Sequence, residues 1–358
     1  MTVRIGIVGS GFAASLHAQA LRQAPDVEII AAASPNTEHV WVFTRCFDIP
    51  HAFIDYHDML EGGLVDAITV ACPNDLHYEV TLAAAAAGKH VLVEKPLAMS
   101  LSGCDRMIRA CRDAGVILMY GENLCFAPKY VRAKQLADEG ALGEIYYTRQ
   151  LQCHGGPHAD WFWDVNQSGG GVLMDMGCHS IAFCRWLFGN APVESVSAEL
   201  GRFMHGKQTK ADDHSLVVMR FAGGGIGVAE NSWARAGGLD DRAEIYGSQG
   251  LTVADLARGS ALSTYSEPGY GYAIEKASGT EGWTQTGFEE AWSEGFPQEL
   301  AHFVKCVRDG RQPALTGEDG RAVLEVICAA YQSARTGRRV SLPFKTDARK
   351  PVDLWLGT

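Results

Sequence analysis

A chain of 358 residues is longer than one hydrophobic core usually organises, so two domains are expected. With 47% apolar and 20% charged residues it is neither a disordered nor a fibrous protein. A formal net charge of -11, with no lysine- or arginine-rich block, sets the long-range field against nucleic acid and acidic membrane surfaces as partners.

In the first third, short β-branched runs at residues 4–8, 27–33, 67–70, 90–93 and 116–120 alternate with helical patterns at 14–22, 74–87 and 100–114. Strands spaced by helices predict right-handed βαβ units and a doubly wound parallel sheet, an α/β domain covering residues 1–122. Beyond it the pattern changes. Longer alternating strands are expected at 145–153, 193–203, 214–221, 226–232 and 242–246, with helices at 177–188, 296–309 and 317–334. These make residues 123–358 an α+β domain with an open, mainly antiparallel sheet, whose exposed face would favour a homodimer or homotetramer. The extreme C-terminal segment is a candidate to pack back on the first domain. The Gly-, Ser-, Tyr- and Glu-rich stretch at 260–295 reads as a long connection.

The ten cysteines are scattered without a Cys-x-x-Cys pair, as reduced thiols would be. The N-terminus runs directly into a strand without a leader's apolar region, and no apolar stretch is long enough to span a bilayer. A cytoplasmic protein without a membrane partner is expected.

Ile5-Gly6-Ile7-Val8-Gly9-Ser10-Gly11-Phe12-Ala13-Ala14 is a strand, a Gly-x-Gly-x-x-Ala loop and the start of a helix. Gly9 permits the tight turn and Gly11 lets backbone approach a pyrophosphate. The helix start then offers amides and a positive dipole end to the phosphates. Gly9, Ser10, Gly11, Phe12 and Ala13 are therefore candidate dinucleotide contacts. The second strand ends Ala33-Ser34-Pro35-Asn36, without the usual carboxylate for the ribose hydroxyls, which leaves Ser34 or Asn36 to bind them. No arginine follows until Arg45 to hold a 2′-phosphate. NAD is the expected cofactor, with NADP not excluded.

Further motifs follow in order. Ala71-Cys72-Pro73-Asn74-x-x-His77 precedes a strand running into Glu94-Lys95-Pro96. Later come Gly169-Gly170-Gly171-Val172-Leu173-Met174-Asp175-Met176-Gly177-Cys178-His179 and Gly317-Glu318-Asp319-Gly320. Over nearly its whole length the chain resembles the glucose–fructose oxidoreductase / inositol dehydrogenase (Gfo/Idh/MocA) family. The resemblance implies that Lys95, Asp175 and His179 are catalytic and that the second domain carries substrate and subunit contacts. It also implies that Cys72, Pro73, Asn74, His77, Glu94, Lys95 and Asn123 lie beside the cofactor. Many relatives carry an arginine pair where this chain has Leu124-Cys125, so Asn123 is the polar candidate there.

The chemistry is consistent with that set. An alcohol releases a hydride only as its hydroxyl proton leaves, and an imidazole such as that of His179 suits the base. Asp175, four residues earlier, would share its helix face and orient the ring or bind a neighbouring hydroxyl. Lys95, at the carboxyl end of a parallel strand, could stabilise the alkoxide. His158, Asp160, Trp161 and Trp163 could line a sugar pocket, although the tryptophans could equally anchor their loop to the core. His154 and His158, with Asp175 and His179, have metal-ligand character. However, Gly155-Gly156-Pro157 cannot be helical and gives the two imidazoles no common face, so no metal is expected.

The expected activity is hydride transfer between NAD(P) and a secondary alcohol of a sugar, cyclitol or glycoside, with ring carbon C3 a candidate position. Two alternatives stay open. One is an enzyme that cleaves a glycosidic bond through transient oxidation by NAD. The other is a non-catalytic dinucleotide sensor.

Overall fold

A computed structural model describes residues 2–257, 261–266, 282–287 and 290–358. The chain forms two compact units, Met1–Phe126 with Gly295–Leu324 and Ala127–Glu294 with Glu325–Thr358. The extreme C-terminus therefore folds within the second unit.

In the first unit, apolar runs form strands β1 (Val3–Val8), β2 (Val27–Ala33), β3 (His51–Phe53), β4 (Ala67–Val70), β5 (His90–Glu94) and β6 (Leu118–Gly121). They pair in parallel in the order β3-β2-β1-β4-β5-β6, and the order reverses between β1 and β4. Ligands of open α/β sheets bind outside the carboxyl ends of strands at such a reversal, which is where Gly9 follows β1. The helix Leu101–Asp113 shows how local chemistry sets an element. Ser100 accepts a bond from the Gly103 amide at 3.1 Å, capping its start, and Leu101, Cys104, Met107 and Cys111 bury one stripe. Burying Met107 completely contributes about 2 kcal/mol. The expected helix at 74–87 divides into a 3-10 turn, Asn74–Leu76, and a helix, His77–Ala86. Helices Thr37–Cys46 and Tyr56–Glu61 lie outside the sequence expectation.

The second unit holds β7 (Ile145–Cys153), β8 (Val193–Gly201), β9 (His214–Phe221), β10 (Ile226–Ser232), β11 (Asp240–Gly247) and β12 (Gly250–Asp255). β13 (Ala261–Ser266) and β14 (Gly282–Gly287) pair antiparallel as a separate two-stranded sheet, and β15 (Val340–Ser341) is the last strand among the described residues. The main sheet runs β12-β11-β7-β10-β9-β8-β15, antiparallel except where β7 meets β10. Alternating burial along β9 and β10 marks one covered face, and the helix Gly177–Leu187 packs on β10 and β7. The stretch expected as a long connection is corrected in part. It contains β13, β14 and the short helix Glu290–Ser293, while its remaining residues up to 289 lie outside the described residues. The aromatic and β-branched residues of Thr264-Tyr265 and Trp283-Thr284 carry strand propensity that the surrounding Gly and Ser obscure.

All ten cysteines are free thiols. Among the described residues no helix is long and apolar enough to cross a membrane.

Candidate active site

The glycine loop of the first unit is built by backbone contact. Gly9 has φ +124°, and a Cβ there would lie 2.1 Å from the Ala71 carbonyl oxygen, so the turn into the loop requires glycine. At Gly11, which begins the helix Phe12–Leu21, a Cβ would meet no atom within 4 Å. The protein's own packing leaves that position unconstrained, as the approach of a pyrophosphate to bare backbone requires. Ser10 donates to the Ser34 hydroxyl at 3.0 Å, tying the loop to the end of β2. Asn36 spends its side-chain oxygen on the His39 amide at 3.0 Å, as the cap of the next helix.

The turns after β4 and β5 are joined by one ring. His77, fully buried, places Nε2 3.0 Å from the Cys72 carbonyl oxygen and Nδ1 2.8 Å from that of Pro96. Burial outweighs these two acceptors and lowers the imidazole pKa, and a neutral ring donates to one carbonyl at a time. Lys95, half-buried at the end of β5, donates its amide to the Gly121 carbonyl of β6 at 3.1 Å. The same amide lies 3.2 Å from Oε2 of Glu94. Glu94 is itself buried and receives His17 Nε2 at 2.8 Å. His17 sits on the helix that follows the glycine loop.

In the second unit, three successive glycines are each required for a different reason. Gly169 closes the short helix Val165–Ser168 with φ +80°. A Cβ on Gly170 would lie 2.3 Å from the Tyr331 hydroxyl, and one on Gly171 1.9 Å from the Asp212 carbonyl oxygen. That close approach lets buried Asp212 take the amides of Leu173 at 2.8 Å and Gly171 at 3.3 Å, together with the Tyr331 hydroxyl at 2.6 Å. Burial still raises the Asp212 pKa.

The helical segment Val172–Asp175 starts from this anchor and is followed by Gly177–Leu187. Met176 keeps helical dihedrals between them, so Asp175 and His179 are one turn apart across a junction of two segments rather than on a single helix start. Both are buried, at 6% and 7% exposure. Asp175 Oδ2 accepts the indole N–H of fully buried Trp233 at 3.2 Å.

Comparisons with known proteins identify the family. Residues 3–122 match the model described as "Oxidoreductase family, NAD-binding Rossmann fold", and residues 130–253 match the "GFO/IDH/MocA C-terminal domain". The myo-inositol 2-dehydrogenase of Thermotoga maritima is 31% identical over 95% of this chain and 98% of its own. The chain belongs to the Gfo/Idh/MocA oxidoreductase family. Among its relatives, the D-glucoside 3-dehydrogenase of Escherichia coli is 28% identical over 95% of this chain and 97% of that protein. The solved structure of GenD2 from gentamicin A biosynthesis, in complex with NAD, superposes with a TM-score of 0.90 at 32% identity, covering 96% of this chain and 97% of that one. This Gfo/Idh/MocA chain is thus an NAD-dependent oxidoreductase with a Rossmann domain.

Other expected residues fall in varied surroundings. Asn123 is buried at the start of the 3-10 turn Asn123–Phe126. Trp161 stacks on Phe162 at 3.8 Å, and Trp163 packs against Trp233 and His205. Both tryptophans are half-buried against the cluster of Phe162, Val172, Met176 and Trp233, so they anchor their loop while keeping an accessible edge. His158 and Asp160 are exposed, whereas His154 is buried. His17, Asp212 and Trp233 were not identified from sequence, since no short motif links them to Glu94, Gly171 and Asp175.

Proposed function

We propose that this Gfo/Idh/MocA enzyme transfers a hydride between NAD and a secondary ring alcohol of a sugar, cyclitol or glycoside, position 3 of a glycoside included. The observation that carries this reading is the buried Asp175–His179 pair, one helical turn apart, with its carboxylate fixed by the Trp233 N–H. Bound NAD supplies the hydride acceptor, held at Gly9, Ser10, Gly11, Phe12 and Ala13, with Cys72, Pro73, Asn74, Glu94 and Asn123 as further contacts. His179 takes the hydroxyl proton, and Asp175 orients the ring or binds the neighbouring hydroxyl. The Lys95 ammonium stabilises the alkoxide. Asn123, His158, Trp161 and Trp163 contact the sugar, the indoles offering apolar faces to its ring. NAD is preferred over NADP because residues 34–44 hold no arginine for a 2′-phosphate. The relatives named for myo-inositol and D-glucoside support a polyol substrate.

The test mixes the protein with NAD and a panel of inositols and methyl glycosides, following reduced nicotinamide by absorbance and products by chromatography. NADH formed with a ketone product is the expected result. Cleaved glycoside without net NADH would replace the reading with the glycoside-cleaving one. Dinucleotide binding without any product would leave a sensor.

For assembly we propose a homodimer or homotetramer through the sheet surface of the second unit, where Leu251 and Val253 remain 60% and 56% exposed. Light scattering that returned a monomer would refute it.

A further inference from the structure

Within the first unit, His17, Glu94 and Glu299 bring one nitrogen and two carboxylate oxygens within 4.8 Å of one another, all from buried residues. Glu299 belongs to the helix Phe296–Asp309, which packs on the helix carrying His17. We infer that Glu299 sits in this cluster as a neutral carboxylic acid beside an ionised Glu94, and that His17 and Glu299 are positioning residues that set Lys95 through Glu94.

Two buried carboxyl groups this close cannot both carry charge without a cation, because burial and mutual repulsion each favour protonating one of them. The hydrogen bonds decide which. Glu94 has His17 Nε2 at 2.8 Å and the Lys95 amide at 3.2 Å, the donors an anion needs. Neither oxygen of Glu299 has a partner of good hydrogen-bond geometry among the described residues, and the Glu122 amide contributes only a weaker contact. Among the described residues Nδ1 of His17 has no hydrogen-bond partner, which suits a ring carrying its hydrogen on Nε2 and donating to Glu94.

The groups facing Glu299 are His17 from the first helix, Glu94 from β5, and Glu122 and Cys125 after β6. Arg4 on β1 is exposed and paired with Asp66 at 2.6 Å. Burial first, then the charges of Glu94 and Glu122, push the Glu299 pKa well above its ordinary value. Since Glu94 adjoins Lys95 and accepts its amide, the cluster acts on a side chain of this unit assigned to the substrate. That last step rests on the function proposed above, whereas the proton on Glu299 does not.

The experiment compares the full-length wild type with Glu299→Gln and Glu299→Leu. Glutamine keeps the shape and donor capacity of a neutral acid, and leucine keeps only the volume. A raised folded-state pKa means that the native chain holds a proton the unfolded chain releases, so stability falls as pH rises from the ordinary glutamate range towards the folded value. The wild-type unfolding constant should therefore climb about tenfold per pH unit more steeply than that of Glu299→Gln over about pH 5 to 8. Parallel profiles would overturn the assignment, as would a stoichiometric divalent ion in protein purified without chelator.

Positioning is read without turnover, through acylation of Lys95 followed by peptide mass spectrometry. Its rate should change at least about threefold in Glu299→Leu and be restored in Glu299→Gln, while identical rates in all three proteins would overturn the role. Where turnover is measurable, kcat should follow the same order. A wild type inactive on every polyol would refute the proposed function and leave the proton and labelling results to stand on their own.

Discussion

Lys95 directly follows strand β5 in one unit and His179 lies in the first turn of a helix in the other, yet the two positions are braced by different chemistry. Around Lys95 the support is ionisable: Glu94 accepts from His17 and from the Lys95 amide, with Glu299 in the same buried cluster. Around His179 the support is mainly steric, and its buried acid, Asp212, is held by the Gly171 and Leu173 amides and the Tyr331 hydroxyl. Gly170 and Gly171 let the backbone approach Tyr331 and Asp212, and an indole N–H holds Asp175. A brace of buried acids responds to pH, whereas a brace of close backbone contacts responds to added volume.

Substitutions that act on only one brace break or sharpen this contrast. The largest effect is expected from Gly171→Ala, whose new Cβ would fall 1.9 Å from a backbone oxygen that cannot swing aside. It should destabilise the protein by about 3 kcal/mol or more in urea unfolding, and wild-type stability would remove the steric half of the comparison. Next, His179→Ala should lower kcat at least ~10²-fold while leaving dinucleotide affinity nearly intact, as fluorescence titration would show. A smaller effect belongs to Trp233→Phe, which keeps most of the packing but removes the donor to Asp175. The loss should be about tenfold in kcat, or ~1.4 kcal/mol. Wild-type turnover in that variant would remove the indole from the support of Asp175.

Apolar runs made much of the fold legible in the sequence. The strands Ile145–Cys153, His214–Phe221 and Ile226–Ser232 and the helix Phe296–Asp309 coincide with their expected limits, because continuous or alternating apolar patterns leave little choice of period. The helix Thr37–Cys46 escaped notice because it is short and half-exposed and follows Asn36, which reads as a ligand-binding residue until its capping role is seen. Of the candidate site, the residues lying in motifs could be named, but their supports could not. His17 is 77 positions from Glu94 and Trp233 is 58 from Asp175, so only the folded chain brings them together. The three-glycine run was visible, but its cause, the approach of Asp212 and Tyr331, was not.

The most direct test of the account compares Lys95→Met with wild type in two measurements on the same preparation, NAD affinity and turnover of whichever polyol the wild type oxidises. Affinity should stay within about threefold of wild type and kcat should fall at least ~10²-fold. Wild-type-like turnover in Lys95→Met would contradict it.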